Sequence, residues 1–105
     1  MRDGKGVDII INAHDLKYKE EFDVIICLDT LEHDDNPFQT IKKAYQALKI
    51  GGIILITVPG INFQKHGYPS DYWRFTEEGL KVLLKNFKKL KIKKIHKEIY
   101  GFAEK

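Results

Sequence analysis

Cysteine is all but absent: Cys27 is the only one. No disulfide can form within the chain, which fits a reducing compartment. Because Cys27 lies inside the apolar run 24–28, a buried, inert thiol is expected there and not a nucleophile. Long apolar runs are missing as well. The longest, residues 24–28 and 53–58, are much too short to span a bilayer, and no basic-then-apolar leader opens the sequence. A cytoplasmic protein without membrane contact is the expectation. Nucleophile and phosphate motifs are also wanting. There is no GxSxG, and "GKG" at Gly4 to Gly6 precedes a strand where a phosphate loop would follow one. His14, His66 and His96 are isolated, and Glu32-His33 has no second pair at ligand spacing, so no metal site is expected. Finally, acid is missing from residues 81–97, which hold eight lysines and His96 but no carboxylate. Such a run is most simply the solvated face of a helix and a strand, with an acidic partner or nucleic acid as the alternative.

What is present is the composition of a soluble globular protein. With 105 residues, 43% hydrophobic and 31% charged, residues 1–105 suit a single domain with one modest core, and no internal repeat divides them. Residues 7–11 ("VDIII") look like a short strand, followed by a polar link without helical periodicity. Residues 24–28 are apolar on both faces, the pattern of a parallel strand covered on both sides. Asn36-Pro37 is a helix start, with Asn capping the orphan amides and Pro at the first helical position. Phe38, Ile41, Ala44 or Tyr45, and Leu48 then mark one buried stripe. The helix is expected to stop at Gly51-Gly52, where a positive φ is needed. A second buried strand, 53–58, ends at Pro59-Gly60. Strand, helix and strand with short links predict a right-handed βαβ unit. Thr76 caps a second expected helix over 77–86, with Leu80, Leu83, Leu84 and Phe87 on its apolar side. Two more strands are expected at 90–96 and 98–103, and the slip in alternation between Ile92 and Ile95 implies either a bulge or a different strand boundary.

In an open parallel α/β sheet, ligands bind beyond the carboxyl ends of the strands. Three polar stretches fall there: 12–15, 28–35 and 59–75. Their convergence on one edge makes them the candidate site, although loops are also polar simply because they face water. Asp34, Asp35 and Asn36 can complement the dipole of the helix they precede. The loop "HGYPSDYWRFT" sets Tyr68, Tyr72, Trp73 and Phe75 among His66, Asp71 and Arg74. That interleaving resembles the lining of a pocket that holds a polar molecule by a few fixed contacts. Equally, Trp73 and Phe75 can form a satellite core, and Arg74 can pair with Asp71 as a structural clamp.

Taken in order, "FDVIICLDTLEHDDNP", "AYQALKIGGIILITVPG" and "HGYPSDYWRFTEEGLKVLL" resemble the later half of class I S-adenosylmethionine-dependent methyltransferases. The type 11 group looks most similar, with its recurring "FDvvicxevLEHvxdP", "LkPGGxlxitvP" and "DYwRfTxxgl". "GVDIIINAHDL" is similar to the segment just upstream in that group. The likeness covers residues 6–87. It implies a truncated Rossmann-like methyltransferase sheet, mostly parallel with an antiparallel C-terminal strand pair, that binds S-adenosylmethionine at its strand ends. Asn12 stands where the family commonly has an Asp that meets the adenine amino group, and an amide oxygen can accept the same hydrogen bond. Ala13, with His14 beside it, would offer its backbone amide to an adenine nitrogen. Leu28 and Asp29 would line the methionine end, largely through main chain. His33, close by, is the candidate base. His66, Tyr68, Asp71, Tyr72, Trp73 and Arg74 would face the methyl acceptor. Methyl transfer from a sulfonium is an in-line displacement with an activated leaving group, so placement supplies much of the acceleration and a base is optional.

The family's glycine-rich donor loop and its ribose-binding acid belong upstream of the matched segments. In the family's strand order, 3-2-1-4-5-7-6, the first two strands lie between those matched by 7–11 and 24–28. Without them, the first strand here is expected to have no neighbour and the second to be a bare apolar edge. The link 12–21 is moreover short for a parallel crossover. One of three outcomes is expected: another polypeptide completes the sheet, the chain self-associates along that edge, or it is a truncated form of a longer enzyme. Functionally, the resemblance implies a methyltransferase, as a fragment or one half of a catalytic domain, with an unidentified acceptor. The alternatives are a non-catalytic protein of the same fold acting through association, and a lysine-rich module for nucleic acid.

Overall fold

The computed structural model describes residues 8–9, 19–64 and 71–105. Its elements are β1 (Asp8–Ile9), β2 (Phe22–Leu28), a 3-10 turn (Leu31–His33), α1 (Pro37–Ala47), β3 (Leu48–Pro59), α2 (Glu77–Leu83), β4 (Lys88–Ile95) and β5 (Glu98–Glu104). The strands form one sheet in the order β1-β2-β3-β5-β4. β1, β2 and β3 run parallel, and β5 lies antiparallel between β3 and β4.

α1 starts as its residues dictate. The Asn36 side chain accepts from the Gln39 amide at 3.2 Å, and Pro37 opens the helix. Ile41, Ala44 and Ala47 are buried. The helix ends earlier than the expected Gly51-Gly52, because Leu48 is already extended and pairs with Phe22 as β3 begins. The register then jumps to Val24 opposite Ile53, so residues 49–52 bulge outward. Gly51, at φ +87°, serves this bulge and not a helix cap. At Gly52 a Cβ would lie 2.9 Å from the Lys49 carbonyl oxygen and 3.0 Å from that of Asp23. The Lys105 amide fixes the bulge by donating to the Gly52 carbonyl at 2.8 Å.

Thr76 caps α2 by accepting from the Gly79 amide at 2.9 Å, and the helix closes at Leu83, short of the expected Asn86. β4 runs Lys88–Ile95 instead of 90–96, so the boundary alternative holds, and the strand's register slip lies away from Ile92 and Ile95. It falls between Lys88 and Lys91, where Lys89 has φ +55°, while Ile92 to Ile95 pair regularly with β5. Ile95 breaks the alternation because it faces outward, not because the strand bulges there. All eight lysines of residues 81–97 are exposed. Five of them lie on β4, an outer strand, where lysines discourage edge-to-edge pairing.

One core holds these elements together. Ile25 and Cys27 of β2, Ile54, Ile56 and Val58 of β3, and Ile99 and Ala103 of β5 pack under the buried sides of α1 and α2. Both helices therefore cover the same face. The opposite face carries Val24, Ile26, Leu28, Ile53, Leu55, Tyr100 and Phe102, and no described residue forms a helix over it. Among the described residues, helical covering, expected on both sides of residues 24–28, is thus found on one side only.

The expectation that the first strand lacks a neighbour is corrected. β1 pairs parallel with β2, Asp8 opposite Ile25 and Ile9 opposite Ile26. The edge of β2 would otherwise leave its backbone donors and acceptors unpaired, and even two residues of ladder satisfy some of them. The remainder of the segment expected as strand, and the link that follows it to residue 18, lie outside the described residues.

Candidate functional site

β2 and β3 end side by side, with Leu28 opposite Thr57, so the loops that leave them meet. Asp29, at the tip of β2, has φ +48°, a left-handed conformation uncommon outside glycine. Its amide donates to the carbonyl and the hydroxyl oxygen of Thr57, both at 3.0 Å. In return the Thr57 hydroxyl donates to Asp29 Oδ1 at 3.3 Å. Backbone held off its preferred basins persists only where such neighbours fix it. Leu28 is 55% exposed. It borders a concavity of about 310 Å³ on the open sheet face, shared with Leu55, Thr57, Lys91, Tyr100 and Phe102.

The turn after Asp29 runs into the protein. Glu32 is fully buried, with its Oε2 3.5 Å from His33 Nε2. Asp34 is also buried: its Oδ1 accepts from the Asn36 amide at 2.8 Å, and its Oδ2 accepts from the Thr40 hydroxyl. Asp34 therefore pins the loop to the first turn of α1 through direct hydrogen bonds, beyond any general complement to the helix dipole.

The loop after β3 closes onto this turn. The Tyr72 and Trp73 amides both donate to the Glu32 carbonyl, at 2.7 and 3.3 Å, and Trp73 Nε1 donates to the Asp34 carbonyl at 2.7 Å. Phe75 returns the chain to the sheet, its amide donating to Pro59 at 2.9 Å. Arg74 braces the loop from within. Its Nε donates to the Phe63 carbonyl at 3.0 Å, Nη1 to Asp71 Oδ1 at 2.5 Å and the Trp73 carbonyl at 2.8 Å, and Nη2 to the Gln64 carbonyl at 2.9 Å and Asp71 Oδ2 at 2.7 Å. A guanidinium has five N–H groups, and here each has an acceptor. The hydrogen-bonded Asp71 carboxylate raises the Arg74 pKa further. The clamp alternative thus describes Arg74 and Asp71, and no guanidinium donor is left for a bound molecule. Tyr72 and Trp73 remain exposed by 55% and 43%.

Of the expected site residues, the structure joins Leu28, Asp29, His33, Asp71, Tyr72, Trp73 and Arg74 at one pair of strand tips. Asn12, Ala13, His14, His66 and Tyr68 lie outside the described residues. Cys27 is buried in β2, and burial pushes its thiol up to about 11, so it is poorly reactive. Among the described residues no group of three or more His, Cys, Asp or Glu is arranged to hold a metal. Sequence reasoning misses Thr57. Its signal is a lone hydroxyl in the otherwise aliphatic run "IILITV".

A family model described as a methyltransferase domain matches residues 3–91. The chain belongs to the methyltransferase domain family. Over 40 residues this methyltransferase domain is 50% identical to a tRNA U34 carboxymethyltransferase of Helicobacter acinonychis, a stretch that is 38% of this chain and 15% of that protein. An S-adenosylmethionine-dependent methyltransferase of Thermotoga maritima, described as a possible histamine N-methyltransferase, matches over 89% of this chain and 61% of its own, with a TM-score of 0.75 and 19% identity. A 1,6-didemethyltoxoflavin-N1-methyltransferase of Burkholderia thailandensis, solved with S-adenosylhomocysteine, matches over 89% of this chain and 48% of its own, with a TM-score of 0.68 and 20% identity. At these identities the structural likeness shows the Rossmann-like fold that these methyltransferases share.

Proposed function

We propose that this methyltransferase domain takes part in methyl transfer from S-adenosylmethionine to an acceptor, as one half of a catalytic domain. The observation that carries this reading is the joining of two strand-tip loops into one site, with Asp29 held by Thr57 and the Tyr72–Trp73 backbone held by Glu32. The residues present fit the donor. Asp29 keeps Oδ2 clear of the described residues' hydrogen bonds, so it can face a positively charged group, and Leu28 offers an aliphatic surface beside it. Bound there, the donor supplies an activated methyl group. The chain's own part is placement: Thr57 fixes the tip of β2, and Asp34 and Arg74 fix the walls on either side. The exposed faces of Tyr72 and Trp73 suit an acceptor that is cationic or planar. Where the acceptor carries a proton, His33 beside Glu32 is the candidate base. The lone buried thiol suits a cytoplasmic setting.

Calorimetry with S-adenosylmethionine and S-adenosylhomocysteine tests this. Saturable heat that weakens in Asp29→Ala is expected. Silence up to about millimolar ligand, the level of a binding free energy near −4 kcal/mol, overturns donor binding by this chain.

A second reading rests on the open sheet face. Seven apolar side chains spread across β2, β3 and β5 form a surface of the kind that marks an interaction site. On this reading the chain acts through a second copy or a partner seated there, without catalysis. A dimer in sedimentation that Leu55→Glu dissociates, together with silent calorimetry, supports it; a monomer at all concentrations and in partner pull-downs sinks it.

A further inference from the structure

The outer surface of the two helices holds a groove of about 530 Å³, lined by none of the residues assigned to the strand-tip site. Phe38, Ile41 and Tyr45 of α1 form one side, and Val82 and Leu83 of α2, with Phe87 from the turn that follows it, form the other. Its floor is closed by Tyr45 and Phe87, whose rings meet edge to face at 4.9 Å. Its lips are the unusual part: Phe38 and Val82 are 60% and 52% exposed, although each sits on a helix whose other apolar residues are largely covered. The groove's charged lining groups are Lys42 and Lys85, both exposed, with no carboxylate among the lining residues.

We infer that this groove docks an amphipathic helix of a partner protein, one whose apolar stripe is flanked by acidic residues. The lining chooses a helix over a small ligand. A small-molecule site needs polar groups converging from its walls to fix orientation, whereas here the polar atoms stand on the rim. A helix needs an apolar trough that receives side chains at i, i+3 or i+4, and i+7, and the two rows of apolar side chains provide one. Charge chooses the flanks. Lys42 and Lys85 stand on opposite walls with no salt-bridge partner among the described residues, so a helix carrying Glu or Asp on both edges of its stripe meets a cation on either side. Lys81, one turn before Lys85, extends the same sign along α2.

The test uses the full chain and a synthetic fluorescent helix with leucines at i, i+4 and i+7 and glutamates on both flanks. A second peptide replaces the glutamates with lysines. Anisotropy at physiological salt should show the acidic peptide bound at least about tenfold more tightly than the basic one. Amide resonances of α1 and α2 should move on titration. Phe38→Ser and Val82→Ser, both at exposed positions, should each weaken binding while circular dichroism stays unchanged. The double variant Lys42→Glu with Lys85→Glu should reverse the preference between the peptides. The proposal is overturned if both peptides bind alike, or if the moving resonances lie along β4. It is equally overturned if a single-stranded oligonucleotide moves the same α1 and α2 resonances and the serine variants leave that unchanged, since the lysines would then be serving a polyanion.

Discussion

Removing the Arg74 guanidinium should release one loop and leave the sheet standing. In Arg74→Met the aliphatic stem survives but five hydrogen bonds go: two to Asp71 and one each to the carbonyls of Phe63, Gln64 and Trp73. The larger cost is what remains. The Asp71 side chain is 1% exposed, so its carboxylate would be left buried without its cation. Breaking a fully buried pair from one side costs about 3–5 kcal/mol. Here the Arg74 side chain is 18% exposed, so water can reach the pair, and about 2–3 kcal/mol is the reasonable figure. The loop can avoid even that by opening, because its ties to the neighbouring turn and strand include, among the described residues, three hydrogen bonds to the Glu32 and Asp34 carbonyls and the short bridge at Phe75. The cost should therefore appear as local opening more than as global unfolding. Trp73 is the sole tryptophan and is itself one of those ties, so its emission reports the loop directly. Arg74→Met should shift emission to the red, increase acrylamide quenching, and speed hydrogen exchange at the Tyr72, Trp73 and Phe75 amides. Amides of β3 and β5 should exchange as before. Arg74→Lys should recover little, since an ammonium cannot bridge both Asp71 oxygens and reach Phe63 together. Unchanged Trp73 emission and unchanged loop exchange in Arg74→Met would refute the brace.

Three further outcomes are expected. Thr57→Val should weaken S-adenosylhomocysteine binding severalfold and cost about 1 kcal/mol in urea, while Thr57→Ser retains both, because only the hydroxyl contacts to Asp29 are removed. Gly52→Ala should cost at least about 1–3 kcal/mol in the same melts, because its Cβ would press on two backbone carbonyls at 2.9 and 3.0 Å. For Cys27 the sign follows from a folded-state pKa raised from 9.0 to about 11: the folded chain keeps a proton that the unfolded chain gives up. Its contribution is complete below pH 9 and falls by up to about 2–3 kcal/mol as pH rises to 11, so the gap between wild type and Cys27→Ala should narrow or invert across that window.

The βαβ unit was legible because each of its signals is local. An Asn-Pro start, a helical stripe and two apolar runs need no knowledge of distant partners, and Asn36, Pro37, Ile25 and Ile54 stand as they imply. The end of α1 was not legible for the opposite reason. Leu48 continues the helical stripe perfectly well, and only its pairing with Phe22, contributed from across the sheet, makes it a strand residue. Gly51 then looks like a helix stop while serving a bulge four residues later than Ala47. β1 illustrates the same limit at an edge: whether it finds a neighbour depends on which strands are present, which no local pattern encodes.

The loop from Asp71 to Phe75 shows how a dense polar-aromatic segment divides its work. Read as a string, its Asp, Arg, Tyr and Trp all resemble pocket lining. In the fold, the charged pair turns inward on the loop's own carbonyls, and the Trp73 indole nitrogen reaches the Asp34 carbonyl across the gap between strand tips. The hydrogen-bonding heads of Arg74 and Trp73 are thus occupied in holding shape. What they leave facing outward is aromatic surface, from Tyr72 and from the Trp73 ring. A site built this way discriminates by the shape and charge of what lies against those faces, and not by the donors its sequence advertises. Acceptor preference should accordingly respond more to Tyr72→Ala, which removes a face, than to Tyr72→Phe, which removes only a hydroxyl. Kinetics with any acceptor found for this site can separate the two, and equal losses in both variants would return the hydroxyl to a direct role.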